Sequence, residues 1–180
     1  RAGATLRRHY TYRFCSPTRS ALLSGRLPVH VNQQNRGPCE KGGGIPIGMT
    51  TIAEMLSDAG YISHHAGKWH VGMSQTKHLP THRGFSSSLA MLSGDADHFT
   101  NVAPAQPCAG QQMVDLWLDD GPAAGLNGTY SLYSYVQHAV RAISMHPVDG
   151  RTNAPLFLLV AFQHTQIRKP CAPLVMVVEV

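Results

Sequence analysis

The chain has 180 residues, 43% of them hydrophobic and 14% charged, with 15 lysines and arginines against 10 aspartates and glutamates for a net charge of +5. That size suits one domain with a buried core, and the composition excludes a disordered, collagen-like or low-complexity chain. No window of eighteen residues is uninterruptedly apolar, so no membrane span is expected, and the basic residues are scattered outside RAGATLRR with no nucleic-acid motif among them, so no nucleic-acid partner is expected.

The amino terminus RAGATLRRHY has neither an initiator methionine nor an apolar signal core, as expected of a piece of a longer chain. A short helix is predicted from Pro17 to Ser24, with proline favoured in its first turn and Gly25 followed by Pro28 as its stop. Residues 36–48, RGPCEKGGGIPIG, read as an exposed loop. The next helix starts at Thr51: Thr51 and Glu54 form a capping box, Ile52, Met55, Leu56 and Ala59 share a face, and Gly60 closes it. Tyr61 to Ala66 reads as a strand in which His64 and His65 are strand and surface residues rather than ligands. Gly72 to about Gly128 reads as loop-rich.

A second long helix is predicted from Tyr130 to Met145, with Leu132, Val136, Ala139, Val140 and Ile143 on one face and His146-Pro147 ending it. Residues 156–162, LFLLVAF, have the pattern of a strand buried on both faces of a parallel sheet. Such alternation predicts an α/β fold, a mixed or parallel sheet sandwiched by helices with its site at the strand ends.

Cys15, Cys39, Cys108 and Cys171 are far apart without CxxC spacing, which argues against a structural zinc site and leaves a disulfide among the last three open. The sequon at Asn127 points to a secretory route. Cys15 has two readings, a buried structural thiol or a nucleophile at a helix amino terminus, where the dipole favours anions. A cysteine phosphatase would need arginine six residues on, where Ala21 stands; the arginine is Arg19.

Cys15-Ser16-Pro17-Thr18-Arg19 with Ser24-Gly25-Arg26 resembles the signature of the type I sulfatases, and Gly60-Tyr61 with Gly67-Lys68-Trp69-His70 and Gly72 is similar to that family's second conserved segment. Leu79 to Phe85 and the strand Leu156 to Phe162 look like its arylsulfatase B (N-acetylgalactosamine 4-sulfatase) branch. The resemblance covers nearly the whole chain, 86–128 least clearly. It implies that 1–180 is part of an N-terminal catalytic domain with the fold of the alkaline phosphatase and sulfatase superfamily, in which 170–180 is a non-family or disordered tail.

The resemblance implies hydrolysis of sulfate esters, including those of sulfated sugars, in the secretory pathway, at a lysosomal or extracellular site. Cys15 would be oxidised to formylglycine by the formylglycine-generating enzyme, which reads Pro17 and Arg19. Arg19 would also hold the nucleophile and neutralise charge, Lys68 would bind the sulfate oxygens, and His70 would hydrogen-bond the formylglycine or assist its turnover. In an extended segment Lys68 and His70 point one way and Trp69 the other; the plain alternative is a solvated turn between glycines. Gln166 stands where a further family histidine would be, and the neighbouring His164 is a candidate substrate contact.

The family's calcium ion would take formylglycine 15 as a ligand, but no aspartate precedes Asp58 and Asp119-Asp120 lies between the wrong elements for the aspartate pair, so most ligands are expected to be absent. Two activities are therefore open: a sulfuric ester hydrolase, or a sulfatase-derived fragment that binds anions without turnover.

Overall fold

The computed structural model describes residues 6–34, 36, 40, 42–103, 112–147 and 154–164. Helix α1 spans Cys15–Ser24, starting two residues before the predicted Pro17 because Phe14, with extended φ −121°, is its N-cap. Pro17 thus falls in the first turn, where a missing N–H costs no hydrogen bond. Gly25, at φ 65°, ends the helix by donating its amide to the Ala21 carbonyl. One further turn, α2, spans Pro28–Val31. In α3, Ile52–Asp58, the capping box forms as predicted: Glu54 N–H donates to the Thr51 hydroxyl, and Thr51 N–H donates to the Glu54 carboxylate at 2.6 Å.

Strand β1, Ile62–Lys68, runs two residues beyond the predicted Ala66. Two 3-10 turns, Thr76–His78 and Pro80–Arg83, lead to β2, Ser87–Met91, which lies in a segment predicted to be loop. Its sequence, SSLAM, has no β-branched residue, so pairing with β1 rather than propensity makes it a strand. Then follow β3, Val102–Ala103, paired with β4, Met113–Val114, and the hairpin of β5, Trp117–Leu118, with β6, Gly121–Pro122. Helix α4 spans Ser131–Ser144 and β7 spans Leu156–Ala161.

The main sheet has the order β6-β5-β2-β1-β7, with β1 parallel to both β2 and β7 and β5 antiparallel to β2. It is therefore mixed, and helices cover both faces, in keeping with the α/β expectation. The alternation of side chains shows this: on β7, Phe157 and Leu159 pack with Leu23 of α1 and Ala53 of α3, whereas Leu158 and Val160 pack with Tyr135 and Ala139 of α4. All six β7 side chains are only half-buried, because β7 is an edge of the sheet among the described residues rather than a central strand.

Three further expectations are corrected. Gly43, Gly44 and Ile45 of the supposed exposed loop are buried, and Ile45 N–H donates to the Val71 carbonyl at 3.0 Å. Both long helices turn a different face inward: Met55 is 63% exposed while Ala53 is buried, and α4 buries Ser131, Ser134, Tyr135, Ala139 and Ala142 while Val136, Val140 and Ile143 face out. Small inward residues let α4 approach the sheet closely, with Tyr135 filling the remaining space. His65 is buried, its ring within 3.1 Å of the Ser88 hydroxyl and 3.3 Å of the Lys68 carbonyl. Cys39, Cys108, Cys171, Gln166 and the tail 170–180 lie outside the described residues. No described helix is long and apolar enough to cross a membrane.

Gly67 allows β1 and β7 to come together at the functional end of the sheet. Its φ is 111°, and a Cβ there would stand 2.0 Å from the Ala161 carbonyl oxygen. Gly67→Ala is expected to cost about 2–4 kcal/mol of unfolding free energy, read from the shift of the urea midpoint. A shift below about 0.5 kcal/mol would contradict this packing.

Candidate active site

Cys15 is the first residue of α1, and Lys68 is the last of β1. What brings them together is Arg19, one helical turn beyond Cys15. Its Nε donates to the Trp69 carbonyl at 2.6 Å and its Nη2 to the Lys68 carbonyl. Arg19 therefore ties the start of α1 to the end of β1. Burial lowers its pKa to about 10, against a raising effect from Cys15 beside it, so it stays cationic at neutral pH.

The result is a cavity of about 320 Å³ lined by residues 11–15, Thr18, Arg19 and Lys68. Lys68 is only 3% exposed, and its Nζ donates to the Gly94 carbonyl at 2.7 Å while also bonding the Cys15 side chain. Burial lowers Lys68 to about 8; Cys15 pushes it back up and Arg19 pushes it down. The Gly94 carbonyl is set by the turn after β2, where Leu92 and Ser93 N–H donate to the buried Asp115 carboxylate at 2.9 and 2.7 Å. Burial raises the pKa of that carboxyl. Asp115, like the segment Thr11 to Phe14, was not singled out from sequence; neither carries a motif, and only the fold brings them here.

His70 is 6% exposed at φ 54°, and its ring lies against Gly94, where a Cβ would stand 2.6 Å from its Cε1. Lys68 and His70 thus converge on Gly94, while Trp69 points into the core and donates Nε1–H to the His78 carbonyl. His70 does not line the cavity with Cys15. Burial, then Lys68 and Arg19, lowers its pKa to about 3, so its imidazole is neutral throughout the physiological range. The segment is buried, not a solvated turn.

His164 follows β7 and belongs to a separate cluster: its Nε2 bonds the Tyr130 hydroxyl, and its ring is 4.9 Å from that of His98. Asp119 accepts the Ser88 amide at 2.8 Å and Asp120 accepts the Thr81 hydroxyl, so this pair braces the β5–β6 turn. Asn127 is exposed in the turn before α4. Among the described residues no three His, Cys, Asp or Glu side chains could hold a metal, and the charged groups at Cys15 are cations. The described residues do not fit the implied calcium ion.

A cation paired with a helix amino terminus suits an oxyanion. Because Lys68 titrates at about 8, inorganic sulfate should bind at acidic and neutral pH and be lost as pH rises through about 8, well below the usual 10.5 of lysine. Lys68→Arg should carry binding past that limit, since arginine keeps its charge. An affinity for sulfate that is unchanged through this range in the unaltered chain, measured calorimetrically, would contradict the assignment.

Comparison with known proteins places this arrangement. The Sulfatase family profile matches residues 1–167. Mouse arylsulfatase J is 31% identical over 173 residues, covering 93% of this chain and 28% of its own length. Dog N-acetylgalactosamine-6-sulfatase is 43% identical over 162 residues, covering 84% of this chain and 30% of its own. The crystal structure of Ps i-CgsB in complex with k-i-k-neocarrahexaose superposes with a TM-score of 0.67 at 23% identity, over 85% of this chain and 35% of that one, a likeness of fold. The chain spans about a third of the length of these relatives. With the match running through both the Cys15–Arg19 helix and the strand that carries Lys68, the chain belongs to the sulfatase family.

Proposed function

We propose that this chain is part of an arylsulfatase of the arylsulfatase B type that hydrolyses sulfate esters of sulfated sugars, with Cys15 converted to formylglycine by the formylglycine-generating enzyme. The observation that carries this reading is the meeting of Cys15, Arg19 and Lys68 at one cavity. A relative named N-acetylgalactosamine-6-sulfatase supports the sugar assignment.

Lys68 meets the outer oxygens of the bound sulfuryl group, and the positive end of the α1 dipole favours the same negative charge. Both cations are already held, Arg19 by two carbonyls and Lys68 by the Gly94 carbonyl, so little reorganisation accompanies charge development in the transition state. Oxidised to formylglycine, position 15 supplies a hydrated aldehyde: one hydroxyl attacks sulfur as the sulfur–oxygen bond to the sugar breaks and the sugar alcohol leaves with a proton, and the second hydroxyl then loses its proton and re-forms the carbonyl, expelling sulfate. A thiolate would keep the sulfonyl group, which makes the cysteine a precursor rather than the nucleophile. His70 is neutral and packs against Gly94 outside the cavity lining, so its part is to back the Gly94 carbonyl that holds Lys68 rather than to act as a cation. His164 is kept as a more distant substrate contact. The exposed Asn127 turn suits glycosylation, in keeping with a lysosomal or extracellular protein.

The test is secretion of the full chain from eukaryotic cells, mass spectrometry of the tryptic peptide 14–19, and hydrolysis of a chromogenic aryl sulfate with calcium in the buffer. The peptide is expected to carry the aldehyde, and Cys15→Ala is expected to lower turnover by about 10³-fold or more. Unmodified thiol alone, or turnover that survives Cys15→Ala, contradicts the mechanism. Sulfate binding without turnover supports the anion-binding fragment instead.

A further inference from the structure

The cavity holds more positive charge than one sulfate ester needs. Three cations line it, Arg13, Arg19 and Lys68, and no carboxylate does. Two of the three are committed: Arg19 to the carbonyls of Lys68 and Trp69, and Lys68 to Gly94 and Cys15. Arg13 differs. It is exposed, and its guanidinium carbon lies 5.0 Å over the ring of Phe14, itself 44% exposed.

A stacked guanidinium keeps its in-plane N–H donors open for a bidentate oxyanion. The backbone beneath it is fixed: the Thr18 hydroxyl donates to the Tyr12 carbonyl at 2.7 Å and Thr18 N–H to the Phe14 carbonyl at 3.1 Å. Arg13 is therefore presented at the rim of the Cys15 cavity on an anchored segment. A sulfate monoester carries a single negative charge, which Lys68 and the helix terminus already meet.

We infer that Arg13 is a specificity residue that binds a second oxyanion of the substrate, a carboxylate or a second sulfate within about one sugar ring of the sulfate held at Cys15 and Lys68. The inference rests on the sulfatase reading of that site and names the class of ligand it selects, an acidic sugar sulfate with at least two negative charges.

The test uses the full chain and isothermal titration with three probes: N-acetylgalactosamine 4-sulfate, its 4,6-disulfate, and the disaccharide that adds an unsaturated uronate to the 4-sulfate. The unaltered chain is expected to bind one of the last two about tenfold more tightly than the monosulfate, and Arg13→Gln is expected to erase that preference. A preference for the disulfate identifies a second sulfate as the partner of Arg13; a preference for the disaccharide identifies the carboxylate. No preference in the unaltered chain, or one that Arg13→Gln leaves intact, overturns the inference. Lys68→Gln separates the two levels, since it should weaken all three probes. If it weakens none, the sulfate site itself is misassigned, whatever Arg13 does.

Discussion

The guanidinium of Arg19 spans the gap between the first helix and the end of β1, donating to the carbonyls of Lys68 and Trp69. Those carbonyls lie at and just past the end of β1, and the donors come from the second turn of α1. One side chain thus satisfies backbone acceptors at the end of the strand and fixes where the helix begins. Cys15 and Lys68 face one another because of it. Hydrogen bonds from a buried charged donor contribute roughly 1.5–3 kcal/mol each, and removing this donor would take one bond from the Trp69 carbonyl and leave the Lys68 carbonyl with the His65 ring. The same group serves as structural tie and as part of the electrostatic field at position 15, which explains why a signature arginine sits at this spacing.

Around that tie, burial sets the chemistry. Lys68 is brought down to about 8 and His70 to about 3, both first by loss of solvent. The lysine remains charged at neutral and acidic pH while the histidine is neutral there, so of the two buried side chains beside Gly94 only one carries charge. Glycines make room for this crowding. Gly94 admits the His70 ring, and Gly67 admits the carbonyl of Ala161. A methyl group at either would displace what the site is built from.

Much of this was legible in the sequence, for identifiable reasons. Thr51 and Glu54 announced a helix start because a capping box is a local reciprocal hydrogen bond that needs no tertiary partner. The Cys15–Arg19 and Gly67–His70 segments were legible because their residue types and spacing are specific. The inward faces of α3 and α4 were not, since periodicity marks the apolar stripe and the fold instead buries small residues, with Val136, Val140 and Ile143 left outside. Strand β2 was missed because SSLAM has no propensity signal and pairs only after β1 exists. Arg13 and Asp115 could not have been singled out, because their importance lies wholly in what the chain places beside them.

If Arg19 is what holds Cys15 against Lys68, replacing it should weaken sulfate binding at this cavity. A sulfate titration of ¹⁵N-labelled chain followed by NMR, comparing the unaltered protein with Arg19→Lys, reads this out. A slowly exchanging Arg19 Nε–H, sulfate-induced shifts centred on the amides of Cys15, Ser16, Thr18 and Lys68, and about tenfold or greater loss of sulfate affinity in Arg19→Lys are expected. Sulfate affinity retained within about twofold in a folded Arg19→Lys protein would contradict it.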